Sequence, residues 1–182
     1  MAKKLVIISS SLRPSSNSEL LARKAEEGAK SAGYETEFIT LKDKDIRFCR
    51  GCLACQTTGS CVIKDDVLPI LEAVKNADTL LFATPVYYYG ISGQLKTLLD
   101  RLNPLYIADY KFRDVYLLTT SAEDGEEVYE KSVTCIQGWT DCFPKSRYAG
   151  VYSGGGAGND AISKDAKFEA MLEGAVRFGK EL

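Results

Sequence analysis

Four cysteines, Cys49, Cys52, Cys55 and Cys61, fall in the segment CRGCLACQTTGSC with the spacing C-x2-C-x2-C-x5-C. Thiolates this close in sequence can converge on one iron–sulfur cluster, and runs of short Cys spacings ligate clusters by this logic. Read as a cluster site, the segment makes the chain a one-electron carrier. Three other chemistries use the same residues. Structural zinc sites usually hold two C-x2-C pairs apart by a longer loop, so a C-x2-C-x2-C run is unusual for zinc. A redox-active pair, Cys52 with Cys55, lacks a thioredoxin-like setting. Buried, reduced thiols that only pack are the fourth reading. Cys135 and Cys142 are remote in sequence, and Cys135 falls on an apolar helical face where packing is its expected role.

Two further segments carry binding chemistry. In SSLRPSSNSELLA, the residues Ser11, Arg13, Ser15, Ser16, Asn17 and Ser18 open a helix directly after an apolar run. A helix N-terminus offers free amides and the positive end of a dipole to a phosphate. Capping alone needs only one Ser or Asn, so this density of donors points to a terminal phosphate monoester. The turn is neither a P-loop nor G-x-G-x-x-G. In ATPVYYYGISGQLKTLLDR, Pro85 and Gly90 bracket Val86, Tyr87, Tyr88 and Tyr89. An aromatic turn above a sheet gives flat faces for a planar ring and amides for its polar edge. A hydrophobic plug or a subunit contact is the other reading for Tyr88 and Tyr89. SGGGAGND, at 153–160, matches no dinucleotide fingerprint and reads as a flexible loop before the last helix.

The elements that position these segments alternate. Lys4–Ser9 reads as a buried strand, followed by a helix at 17–32 with Leu21, Ala25, Gly28 and Ala32 on one face. Strands are expected at 34–40, 79–83, 115–120 and 148–152. Helices are expected at 67–75, 93–102, 126–139 and 164–182, with Asp65 or Asp66 capping the first of these. The helix at 126–139 is expected to bury Val128, Ser132, Cys135 and Trp139. Strands alternating with helices imply a doubly wound α/β sheet that binds ligands at the carboxyl ends of its strands. The stretch 41–64 breaks the rhythm. It is too long for an ordinary connection, which points to function, and it carries all four clustered cysteines.

The chain has 182 residues, enough for one domain with a sizeable core, and a net charge of −2 with no basic stripe. That argues against nucleic acid as a partner. No apolar run approaches membrane-spanning or signal-peptide length, so the expectation is a cytoplasmic protein with reduced thiols. There is no histidine. This excludes His-based triads, His-bearing zinc sites and imidazole bases, and leaves the chemistry to other groups or a cofactor.

SSLRPSSNS, TPVYYYG and GQLKTLLDR resemble the NADPH-dependent FMN reductase family of flavodoxin-like proteins over nearly the whole chain. The cysteine loop resembles the iron–sulfur flavoprotein branch, whose compact motif has the same Cys order and ligates a 4Fe–4S cluster. The resemblance implies a flavodoxin-like three-layer fold with a five-stranded parallel sheet, order 2-1-3-4-5. It implies that Ser11, Arg13, Ser16, Asn17 and Ser18 hold the FMN phosphate. Pro85, Val86, Tyr87, Tyr88 and Gly90 would line the isoalloxazine, and Thr119, Thr120 and Ser121 would approach the ring's other side. Cys49, Cys52, Cys55 and Cys61 would be the cluster ligands, beside the flavin. Ser10 departs from the pattern, because many members carry Gly there. By the same likeness NAD(P)H delivers hydride to FMN, the electrons pass to a quinone, free flavin, iron centre or cluster, and the protein is a homodimer or homotetramer. Similar loops also occur in plain flavin reductases, so the cysteines decide the branch and not the class. A flavodoxin-like electron carrier without nicotinamide turnover and a zinc-stabilised binding module are the competing readings.

Overall fold

In this computed structural model, which describes residues 2–156 and 166–182, the apolar runs form one parallel sheet. The strands are β1 (Lys4–Ser9), β2 (Glu35–Thr40), β3 (Thr79–Pro85), β4 (Asp114–Thr120) and β5 (Arg147–Gly154), in the order β2-β1-β3-β4-β5. The helices are α1 (Asn17–Ser31), α2 (Cys55–Thr58), α3 (Val67–Asn76), α4 (Gly93–Arg101), α5 (Glu126–Thr140) and α6 (Ala166–Lys180). This is the expected flavodoxin-like arrangement. The proposed loop at 153–160 and the start of the helix placed at 164–182 lie partly outside the described residues.

Alternation along the central strands fills both faces, as a doubly covered parallel sheet requires. Leu5, Ile7, Leu81 and Leu118 pack under α1 and α6. Val6, Ile8, Leu80, Phe82 and Leu117 pack under α3, α4 and α5. Helices α1 and α6 touch backbone to backbone, because a methyl at Gly179 would collide with the Ala25 carbonyl and one at Gly28 with the Val176 carbonyl. Ser16 caps α1, its Oγ accepting from Glu19 N at 3.1 Å.

Three local expectations need correction. On α5 Val128 and Ser132 are buried as expected, but the face continues through Ile136, and Cys135 is only half-buried. Two apolar residues stand side by side in sequence, and the 100° step between them lets only one point straight inward. Burial still pushes the Cys135 thiol up, toward the inert form. Trp139 is partly buried but stacks on Phe112 and meets Phe82 edge-on. On α1, Ala32 is the exposed C-cap and not part of the packed face.

The 41–64 loop is tied down at both of its ends. Asp45 N donates to Asp66 Oδ2 (2.8 Å) and Asp66 N to the Asp45 carbonyl (3.1 Å). Asp65 accepts from Arg47 N (3.1 Å) and, through Oδ1, from Val67 N (3.2 Å), so Asp65 rather than Asp66 serves the first amide of α3. Arg101, at the end of α4, closes the neck from below. Its Nη1 donates to Asp65 Oδ2 and the Arg47 carbonyl, both at 2.6 Å, and its Nη2 to Asp65 Oδ1 (3.0 Å) and the Ile63 carbonyl (3.3 Å). Both side chains of this pair are completely buried. Burial alone would raise the Asp65 pKa, but the Arg101 fork and the two amides outweigh it and hold the carboxyl below its usual range.

Removing one partner of a buried pair leaves the other charge stranded, at a cost of about 3–5 kcal/mol. Asp65→Asn is expected to lose stability on that scale in urea unfolding. A carboxyl depressed on folding contributes stability above its unfolded value of about 3.9, lost as pH falls through the depressed one. The wild-type loop should therefore keep its amide-exchange protection at pH 4 and lose it only in stronger acid.

Candidate functional site

The turn after β1 carries the residues expected to hold a phosphate, and of these Arg13 and Ser16 line the cleft there, whereas Ser11, Asn17 and Ser18 do not. Ser11, Ser16 and Ser18 are buried, Asn17 is half-buried and Arg13 is exposed. Ser15 takes a left-handed φ of 52°, which folds the turn back over the N-terminus of α1. A cleft here is lined by three cations, Arg13, Arg23 and Lys42, with Ser15 and Ser16, against one carboxylate, Glu19. The cleft is thus polar and net positive, as an anion site requires. Ser10, where a glycine was the family pattern, is fully buried and employed. Its Oγ donates to the Ala83 carbonyl (3.1 Å) and accepts from Ser92 Oγ (2.9 Å), which joins the turns after β1 and β3.

The aromatic turn after β3 is a two-residue reversal. Tyr87 N donates to the Gly90 carbonyl (2.9 Å), Gly90 N donates to the Tyr87 carbonyl (3.0 Å), and Tyr88 and Tyr89 stand between them with φ of 49° and 64°. Two central residues with positive φ define a type I′ turn, normally made from Asn and Gly. Bulky side chains there are uncommon and carry strain. At the tip of the reversal Tyr88 stands fully in solvent, at 102% relative exposure. Tyr89 leans back, its hydroxyl donating to Glu123 Oε2 at 3.1 Å, and this hydrogen bond to a carboxylate raises the phenol's pKa. Val86 N donates to the Thr120 carbonyl (2.8 Å), locking the β3 loop to the β4 loop.

Between these two loops lies a cleft lined by Val86, Tyr88, Tyr89, Ser121, Ala122, Glu123 and Val128. Of the residues assigned to the ring, Val86, Tyr88 and Ser121 meet here. Pro85, Tyr87 and Gly90 shape the turn instead of lining the cleft. Thr119 and Thr120 are buried in β4 beneath it, and Thr119 Oγ1 has no hydrogen-bond partner among the described residues. Ala122 and Glu123 were not singled out from sequence, whereas Tyr89 belongs to the aromatic run that was and Val128 was expected only as part of the buried face of α5.

All four clustered cysteines line one small cavity of about 40 Å³, walled by Arg101, Asn103 and Pro104. Cys55 is buried at the start of α2, and Asn103, in a 3₁₀ turn over Asn103–Tyr106, donates Nδ2–H to its Sγ at 3.1 Å. Gly51 N donates to Cys49 Sγ at 3.4 Å. Arg101 faces the same cavity with a buried Nε that has no hydrogen-bond partner among the described residues. Burial would loosen the Arg101 proton, but Asp65 and the neighbouring Cys61 sulfur outweigh it and raise its pKa. No three Cys, Asp or Glu side chains among the described residues converge tightly enough to grip a single metal ion. A cluster is held differently, each thiolate taking a separate iron, so its ligands stand further apart than those of one zinc. Sulfur donors around one cavity, with N–H groups aimed at the sulfurs, fit a cluster. The cavity abuts the C-terminal end of α4, whereas the two clefts open at the carboxyl edge near its N-terminal end.

The family model described as NADPH-dependent FMN reductase matches residues 3–137, and the chain belongs to that family. It is 47% identical over 104 residues to an iron–sulfur flavoprotein of Methanocaldococcus jannaschii, an alignment covering 57% of this chain and 54% of that one. The chain thus spans about half the length of the curated relatives it matches. Its fold is similar to an NAD(P)H:quinone oxidoreductase from Methanothermobacter marburgensis, with a TM-score of 0.80 at 18% identity over 100% of this chain and 96% of that one. It is also similar to an FMN-dependent NADH-azoreductase from Bacillus anthracis solved with FMN, with a TM-score of 0.71 at 16% identity over 100% and 99%. At such identities the likeness speaks for the fold. No helix among the described residues is long and apolar enough to cross a membrane.

Because a left-handed residue with a Cβ costs about 1–2 kcal/mol, Tyr88→Asn should relieve part of the turn's strain. The flavin-free variant is expected to gain roughly 1 kcal/mol in thermal unfolding. A melting temperature at or below the wild-type value would show that the turn stores no strain.

Proposed function

We propose that the protein is an FMN-dependent oxidoreductase of the NAD(P)H-dependent FMN reductase type, with Cys49, Cys52, Cys55 and Cys61 ligating a 4Fe–4S cluster. The observation that carries the reading is the pair of clefts along one sheet edge, in a chain of this family. One is cationic and hydroxyl-lined, and the other is aromatic. FMN, when bound, accepts hydride from a reduced nicotinamide and releases electrons to a further acceptor.

In this reading Ser11, Arg13, Ser16, Asn17 and Ser18 neutralise and hydrogen-bond the phosphate, aided by the dipole of α1. Pro85, Val86, Tyr87, Tyr88 and Gly90 present one wall to the ring, and Thr119, Thr120 and Ser121 the other. Backbone amides near the ring favour its anionic reduced form without a titrating side chain, which accords with a chain lacking histidine. The acceptor is the cluster, or a quinone, flavin or iron centre beyond it. The exposed apolar side chains Phe48, Leu53 and Val62 on the cysteine loop and Tyr87 and Tyr88 on the aromatic turn support a homodimer or homotetramer that covers them.

Anaerobically purified protein should hold one FMN per chain, with four iron and four sulfide, and should oxidise NADPH or NADH under steady-state conditions. Protein that takes up no flavin sinks the proposal. Protein that holds both cofactors yet oxidises neither nicotinamide is instead an electron carrier. Flavin and turnover without iron leave a plain flavin reductase.

A further inference from the structure

The cysteine cavity is mostly apolar, but N–H donors reach two of its sulfurs, and the flavin clefts use none of them. Asn103 Nδ2–H points at Cys55 Sγ (3.1 Å), Gly51 N–H at Cys49 Sγ (3.4 Å), and the buried Arg101 guanidinium lines the same cavity as Cys61. The Asn103 contact stands out because it is a side-chain choice at a place where an apolar residue would pack equally well. The flanking residues Leu102, Pro104 and Leu105 are all buried and apolar. Asn103 follows α4 directly and opens the 3₁₀ turn. Its position is thus fixed by the same helix whose last residue, Arg101, pins the cysteine loop.

We propose that Asn103 is a positioning residue for the cluster, setting its reduction potential by hydrogen-bonding the Cys55 ligand, with Arg101 supplying the positive charge behind Cys61. The inference rests on the cysteines holding a cluster. Reduction adds one electron to the cluster, with no bond made or broken at Asn103 and no proton moved, and the electron comes from the reduced flavin or, in the test, from dithionite. The added negative charge spreads onto the sulfurs, where an N–H donor stabilises it more than in the oxidised state. Hydrogen bonds to the sulfurs are among the determinants of cluster potentials. Losing the donor should therefore make the cluster harder to reduce.

The test is an anaerobic redox titration of the holoprotein, read by the electron paramagnetic resonance signal of the reduced cluster. Asn103→Leu should shift the reduction equilibrium about tenfold toward the oxidised form, a midpoint lower by about 59 mV for one electron. Asn103→Ala is the second donorless variant if Asn103→Leu does not keep its iron. Asn103→Gln, which restores an amide, should recover part of the shift, and FMN content should be unchanged throughout. A midpoint unchanged in the donorless variants overturns the inference while leaving the cluster in place. Wild-type protein without iron and sulfide overturns the cluster reading itself, and the inference with it.

Discussion

Burying a guanidinium with a carboxylate costs more in lost hydration than their attraction returns, unless the geometry is good and the remaining donors are met. The Arg101 and Asp65 side chains are both sealed from solvent and joined by a bidentate fork, and the guanidinium gives its other two Nη hydrogens to the Arg47 and Ile63 carbonyls, which leaves Nε alone unmet among the described residues. Those carbonyls belong to the two strands of the cysteine loop's neck. The pair contributes position more than stability. It decides where a long, sparsely packed connection leaves the sheet and where it returns, and so places four sulfurs around one cavity.

Helix α4 joins the two halves of the site. At its N-terminus Ser92 caps the helix, accepting from Leu95 N, and bonds Ser10, so the phosphate turn and the aromatic turn are held to the same point. At its C-terminus Arg101 and Asn103 hold the cysteine loop. Nine residues at about 1.5 Å each make a strut of roughly 13 Å. One rigid element thus sets the separation between the clefts and the sulfur cavity. Leu95, Leu98, Leu99 and Leu102 keep that strut on the sheet.

Much of this was legible in the sequence. Short β-branched runs gave the strands, and the serine-rich and tyrosine-rich turns marked the carboxyl edge because nothing in a bare helix start or loop demands such residues. The Arg101–Asp65 pair was not legible, since its partners are 36 residues apart and no periodicity links them. The α5 phase failed for a local reason, the adjacency of Cys135 and Ile136. Helix α2, at four residues, lies below what a 3.6-residue pattern can reveal. The course of the cysteine loop had no signal in the sequence either, because its anchor is a side chain on another element. The Arg101 fork ties it to the C-terminal end of α4.

The account turns on Arg101 as the anchor of the sulfur cavity and not of the flavin clefts. Arg101→Gln keeps planar donors but removes the charge and the fork. Purified anaerobically, that variant should retain one FMN per chain and lose its iron and sulfide. Iron and sulfide at wild-type levels would contradict the account.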